Sequence, residues 1–178
     1  MFKSILTVTI VSIACCCLFV WTAQAQEEPQ GAAENQFNTS GERIGGLRLG
    51  MPEKEFQSLI PCKPQKGKEI YEGGTGEHVQ TWRYPECGIA LKMSSERKGG
   101  AKSIASITIT APSKFATGGG IHIGSTESEV MKAYGQYRDQ EWDVKKTNQF
   151  VAGSIYDGII FNLKDGKVVR IFLGAAAE

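Results

Sequence analysis

Apolar and polar positions form the same short pattern twice along the chain, 74 residues apart. Residues 46–56 and 120–130 each begin with a glycine, alternate aliphatic with polar residues, and reach a second glycine. Alternation with a period of two is typical of a strand, and glycine permits a tight exit from it. Acidic residues then open a segment whose apolar residues recur at i, i+3 and i+4, which predicts a short amphipathic helix in each copy. These apolar helix positions are Phe56, Leu59 and Ile60, and then Val130, Ala133 and Tyr134.

Two alternating segments follow each predicted helix and predict a β-hairpin. The first hairpin pairs residues 88–93 with 104–109, and the second pairs 158–163 with 168–173, where Asp165-Gly166 is a strong turn signal. Alternation assigns one face of the sheet to the core: Ile89, Leu91, Met93, Ile107, Ile109, Ile159, Phe161, Leu163, Val169, Ile171 and Leu173. The opposite face is mixed polar and apolar, so we expect it to be open to solvent or to a partner. It carries Ala90, Lys92, Ser106, Thr108, Ile160, Asn162, Arg170 and Phe172.

These patterns predict an α+β fold. Two tandem helix-plus-antiparallel-strand repeats, residues 43–115 and 116–178, form one sheet with the helices on one face, within one compact domain.

The N-terminus has the pattern of a secretory signal peptide. A positive residue, Lys3, precedes an apolar run, and Ala23-Gln24-Ala25 supplies small residues for cleavage before Gln26. Residues 1–25 are therefore predicted to be removed, and the polar residues 26–42 to form a flexible leader. A lipid anchor on one of the cysteines at positions 15–17 is the less favoured alternative. The predicted location is periplasmic or secreted.

The remaining cysteines, Cys62 and Cys87, predict one disulfide, since isolated pairs in exported proteins are usually bonded. A metal site shared with His78 is the alternative, but zinc takes three or four ligands at short spacings. The chain has 20 basic and 19 acidic residues. This balance gives no electrostatic case for nucleic acid, and no stable membrane insertion is expected after signal cleavage.

The repeated opener and the order of elements resemble the β-lactamase-inhibitory-protein-like fold. The small lipoprotein of the outer-membrane barrel assembly machinery, of the SmpA/OmlA type, has a similar single unit. The resemblance rests on residues 46–56 and 120–130 and extends in pattern over residues 44–173. It implies a two-unit protein whose concave sheet binds another protein. No inhibitory residue has a local match, so none is transferred.

Catalytic chemistry has little support in the sequence. The two histidines, His78 and His122, have no nucleophile motif beside them, and the Gly118-Gly119-Gly120 run precedes a strand rather than a helix. We therefore expect a non-enzymatic module without catalytic residues, metal or cofactor. Its partner is expected to be another protein, bound as an inhibitor binds an enzyme or as a component of envelope assembly. The predicted contact residues are Lys92, Ile160, Arg170 and Phe172 on the open sheet face, with Trp142 at its edge.

A small-molecule or lipid-binding domain is the alternative function. It requires a cavity between sheet and helices, lined by Met93, Phe161 and their neighbours.

Overall fold

The computed structural model describes residues 36–142 and 147–177, and a single antiparallel sheet dominates them. Its eight strands run in the order β1-β3-β4-β5-β8-β7-β6, with β2 also paired to β3. Two short α-helices accompany it, α1 (Glu53–Phe56) and α2 (Glu127–Tyr134). The strands are β1 (Gln65–Lys66), β2 (Ile70–Glu72), β3 (Glu77–Tyr84), β4 (Ile89–Ser95), β5 (Ser103–Thr110), β6 (Gln149–Gly153), β7 (Gly158–Lys164) and β8 (Lys167–Gly174).

The predicted α+β class, with two helix-plus-strand repeats, is wrong: the described chain is mainly one β-sheet. Helix α1 is a single turn, has no side-chain cap hydrogen bond, and ends well before Pro61. Of the apolar stripe predicted for it, Phe56 is buried but Leu59 is 38% exposed. A segment this short gains too few intrahelical hydrogen bonds to offset the cost of helix nucleation. The strands, by contrast, bury continuous apolar surface, and they dominate the fold.

Both glycine-bounded segments fold as turns that dock on the start of a strand in the same way. Gly50 and Gly124 have positive φ, 71° and 95°, a conformation that favours glycine. Each glycine donates its N–H to the carbonyl of a strand residue. The N–H of that strand residue donates in turn to the carbonyl of the residue that follows the glycine. The bonds are Gly50 N to Ile104 O (2.8 Å) and Ile104 N to Met51 O (3.0 Å), then Gly124 N to Val168 O (2.7 Å) and Val168 N to Ser125 O (2.8 Å).

Both predicted hairpins are present, β4 with β5 and β7 with β8, and each contains a register shift. In β8 the partner of Asn162 is Arg170 and the partner of Leu163 is Val168, so Val169 is the extra residue of a bulge. Sequence alternation placed Val169 in the core, and this is wrong: it is 41% exposed, whereas Val168 is buried. A bulge shifts the side-chain alternation by one residue, and the sequence pattern does not reveal it.

One apolar cluster fills the face of the sheet that the helices and docked turns cover. Trp82 and Tyr84 of β3 both belong to it, and burial raises the pKa of Tyr84 to about 12. Phe37 also packs there, with its ring centroid 6.0 Å from that of Tyr134. The packed domain therefore includes residues N-terminal to position 43. The predicted signal peptide and residues 26–35 of the predicted leader lie outside the described residues.

The predicted disulfide between Cys62 and Cys87 is confirmed, with a Cα–Cα distance of 6.1 Å. Cys62 follows α1, and Cys87 ends a 3₁₀ turn, Pro85–Cys87, that leaves β3. The bond therefore links the segment that follows α1 to the end of β3.

Candidate functional site

The sheet has a second face, opposite the apolar cluster, which we call the outer face. Residues paired across neighbouring strands share a face, so the strand register arranges its side chains in rows. One row crosses the sheet from β3 to β6: Arg83, Ala90, Thr108, Phe172, Ile160 and Val151. The rows on either side of it contain Thr81, Lys92 and Ser106, and Thr110, Arg170, Asn162 and Gln149.

The β6–β7–β8 end of the outer face is an apolar corner that the chain covers. Val151, Ile160 and Phe172 form a small cluster, against which Trp142 and Ile155 pack. Ile160 is 6% exposed and Phe172 8% exposed. Three of the predicted contact residues, Trp142, Ile160 and Phe172, thus lie together, but they contact one another in a satellite core.

Arg170 lies beside this corner and remains partly exposed. Its Nη1 donates to Oδ1 of Asn162 at 3.3 Å, and its Cζ lies 5.4 Å from the ring centroid of Phe172. These contacts hold the guanidinium against the sheet, and a guanidinium has five N–H donors. Most of its donors are therefore left for another group.

Lys92, in the neighbouring row, is partly exposed and forms an ion pair with Glu72, whose Oε2 lies 2.8 Å from its Nζ. Glu72 belongs to β2, at the corner of the sheet farthest from β6. The predicted contact residue Lys92 is thus already paired within the molecule.

Arg83 is a cation of the outer face that is not among the predicted contact residues. It is exposed, and it has no hydrogen-bond or ion-pair partner among residues 36–142 and 147–177. Alternation along β3 could have found it, because it lies between Trp82 and Tyr84, which both face the core.

Between Arg83 and Arg170 the outer face has a floor of small side chains, Ala90, Thr108 and Thr110. Ala90 and Thr108 are partly exposed. Short side chains on a sheet allow the backbone of a partner chain to come close to the strands. Their hydroxyl groups supply hydrogen-bond donors and acceptors. We call this strip, bounded by Arg83 and Arg170, the basic strip.

The other candidate groups do not converge on a reactive arrangement. His122 is exposed and its Nδ1 lies 2.9 Å from the carbonyl of Ile123, while the His78 ring lies 5.3 Å from that of Tyr71. Within residues 36–142 and 147–177, no group of three potential metal ligands occurs. A surface cleft of about 710 Å³ is lined mainly by polar side chains, Arg138 and Asp157 among them.

The cavity that the small-molecule alternative requires has no counterpart at its predicted lining. Met93 and Phe161 are both fully buried, and they belong to the continuous apolar cluster. Their side chains therefore contact the core of the domain.

Among the described residues, no helix is long and apolar enough to cross a membrane. No protein-family model, curated protein or solved structure matches the chain.

Proposed function

We propose that this chain is an exported protein–protein interaction module that binds its partner through the basic strip of the outer face. The observation that supports the proposal most directly is Arg83, an exposed strand cation without a partner in the described chain, at one end of a floor of small residues. Arg170 is held at the other end by Asn162 and Phe172. Arginine is enriched in protein interfaces, so an accessible face with an arginine at each end supports this proposal.

The proposal divides the predicted contact residues into two roles. Lys92 and Arg170 lie on the accessible part of the face and contact the partner, together with Arg83. Phe172, Ile160 and Trp142 support the strip from the apolar corner, because their packing fixes the position of β8 beneath Arg170. Exchanging Phe172 therefore changes stability as well as binding and is a poor test of the interface.

Export agrees with the disulfide, since such bonds persist in oxidising compartments. We place the module in the periplasm or outside the cell, with residues 1–25 as its removable signal. Its action is inhibition of an enzyme or support of envelope assembly, as the resemblance to inhibitor-like and assembly-lipoprotein folds implies.

The proposal is tested by site-specific crosslinking in the producing cell. A photo-reactive amino acid at Thr108, in the middle of the basic strip, is expected to give a discrete crosslinked species. The same group at Lys132, which is exposed on α2 over the opposite side of the sheet, is the matched control and should give none. Exchanging Arg83 and Arg170 together for glutamate should abolish the crosslink at Thr108, whereas Lys132→Glu should not. A crosslink of equal yield from both positions, or none from Thr108, contradicts the proposal.

A further inference from the structure

The chemistry of the basic strip indicates what kind of partner it fits. Its two ends are positively charged, and the floor between them, Ala90, Thr108 and Thr110, is uncharged. Glu72 and Glu77 are acids of the outer face, and they lie together at the β2 corner. Glu72 there neutralises Lys92. Arg83 and Arg170, by contrast, form no ion pair within residues 36–142 and 147–177.

The sheet geometry sets the distance between these two charges. Arg83 is on β3 and Arg170 on β8, with β4 and β5 between them, so three strand spacings separate them. At about 4.8 Å per spacing, and with an offset of one row along the strands, their Cα atoms lie about 16 Å apart. An extended chain rises about 3.3 Å per residue, so its residues i and i+4 span about 13 Å and present their side chains to the same side. Arginine side chains are long enough to bridge the difference of about 3 Å between these two distances.

We propose that the basic strip binds an extended acidic protein segment, with carboxylates four residues apart over the two arginines and a small residue above the floor. This inference rests on the proposed function and specifies its partner. Arginine pairs with a carboxylate through two parallel hydrogen bonds, which makes it better suited than lysine to recognise carboxylates. The hold of Asn162 and Phe172 on Arg170 lowers the entropic cost of ordering that side chain on binding.

Synthetic peptides test the inference directly. The probe is a rhodamine-labelled Gly-Glu-Ser-Gly-Ser-Glu-Gly peptide, and its matched control carries glutamine in place of both glutamates. Each is titrated with the full chain, as purified from the cell that exports it, and binding is followed by fluorescence anisotropy. The glutamate peptide is expected to bind at least tenfold more tightly than its twin. Its affinity should fall several-fold as sodium chloride rises from about 50 to about 200 mM, because salt screens exposed charges.

Variants locate this binding on the strip. Arg83→Glu combined with Arg170→Glu should abolish binding of the glutamate peptide, while Lys132→Glu should leave it unchanged; circular dichroism checks that each variant is folded. Equal binding of the two peptides, no binding of either, or unaltered binding by the double variant overturns the inference. Tighter binding to phosphatidylglycerol vesicles or to heparin, lost in the double variant, also overturns it by assigning the strip to a lipid surface or a glycan.

The two proposals fail separately. A crosslinked partner at Thr108 that lacks an acidic segment overturns the inference and leaves the proposed function standing. Peptide binding without any crosslink at Thr108 in the cell overturns the proposed function instead.

Discussion

At the scale of single residues, Tyr134 joins three separate parts of the chain. It ends α2, its ring packs against Phe37 and Phe161, and its hydroxyl donates to Oε2 of Glu42 at 2.9 Å. Glu42 in turn accepts the N–H of Gly118 at 2.7 Å. Burial raises the pKa of Tyr134 to about 12. This side chain therefore fixes the N-terminal segment to the second docked turn, and the neutral phenol is the form that the fold stabilises.

Tyr134→Phe is expected to change how stability depends on alkaline pH. The unfolded phenol ionises near its usual pKa of about 10, while the folded one keeps its proton to about 12. The unfolded state thus binds fewer protons in this window, and the free energy of unfolding falls as pH rises through it. Denaturant titrations at about pH 9 and about pH 11 should show a loss in the parent chain that is about 1 kcal/mol larger than in Tyr134→Phe.

Tyr71→Phe is the matched control for this experiment, because Tyr71 is 63% exposed. Its pH profile should follow that of the parent chain. If the Tyr134→Phe profile also runs parallel to the parent profile, Tyr134 is not the group responsible for the alkaline loss.

Single residues also mark where sequence reasoning failed. Alternation placed ten of the core-face positions correctly, from Ile89 to Leu173, because each strand is buried on one side. It misplaced Val169, since a bulge leaves no mark in the pattern of apolar residues. It also missed Arg83, although alternation along β3 puts Arg83 on the face opposite Trp82 and Tyr84, which are both buried in the core.

At the scale of elements, the two helices differ in what holds their first turns. Thr126 caps α2: its side chain accepts the N–H of Glu129, and the Glu129 carboxylate accepts the N–H of Thr126 at 2.6 Å. The Thr126 N–H and the Thr126 hydroxyl both donate to this carboxylate, and these two hydrogen bonds lower the pKa of Glu129. Helix α1 has Pro52 at the corresponding position and no side-chain cap. The capped segment extends over eight residues and the uncapped one over four.

Thr126→Ala is expected to destabilise the chain by about 1 kcal/mol, the usual cost of losing an N-cap side chain. Chemical denaturation at neutral pH measures it. Ser128→Ala in the same first turn is the control, since Ser128 is exposed and does not cap the helix; it should change stability by less than about 0.5 kcal/mol. Equal effects of the two substitutions would show that the cap does not stabilise α2 in this context.

The hairpins could be predicted from the sequence, whereas the shortness of the helices compared with the sheet could not. Asp165 and Gly166 both have positive φ, 52° and 71°, as their turn signal requires, and the flanking alternation fixes β7 and β8. The pairing of β5 with β8 joins segments about 60 residues apart, and no local signal specifies it. Both predicted helices begin near the acidic residues that the sequence pattern indicated, at Glu53 and Glu127. The three apolar positions in the first copy were too few to continue α1 beyond one turn.

At the scale of the whole molecule, the core and the proposed binding surface lie on opposite faces of the sheet. The apolar cluster occupies one face, and the basic strip occupies the accessible part of the other, so charge changes on the strip do not alter the core. The apolar corner of Val151, Ile160 and Phe172 contributes to stability and also lies next to the basic strip. For this reason the charged ends, Arg83 and Arg170, are the positions at which we expect the proposed binding to change without a loss of stability.

The disulfide acts on the whole domain. It closes a segment between residues 25 apart, and in the chain-entropy model such a bond stabilises the fold by about 3 kcal/mol by restricting the unfolded chain. Replacing both Cys62 and Cys87 with alanine should lower the free energy of unfolding by that amount. Because one continuous cluster spans both halves of the sheet, the loss should appear in a single cooperative transition followed by fluorescence and circular dichroism alike.

Reduction provides the control for this last prediction. A reducing agent should destabilise the parent chain to the level of the double alanine variant and leave that variant unchanged. Two separate transitions in the variant would instead show that the bond holds together parts that unfold independently, and that the β5–β8 pairing alone does not make the sheet one cooperative unit.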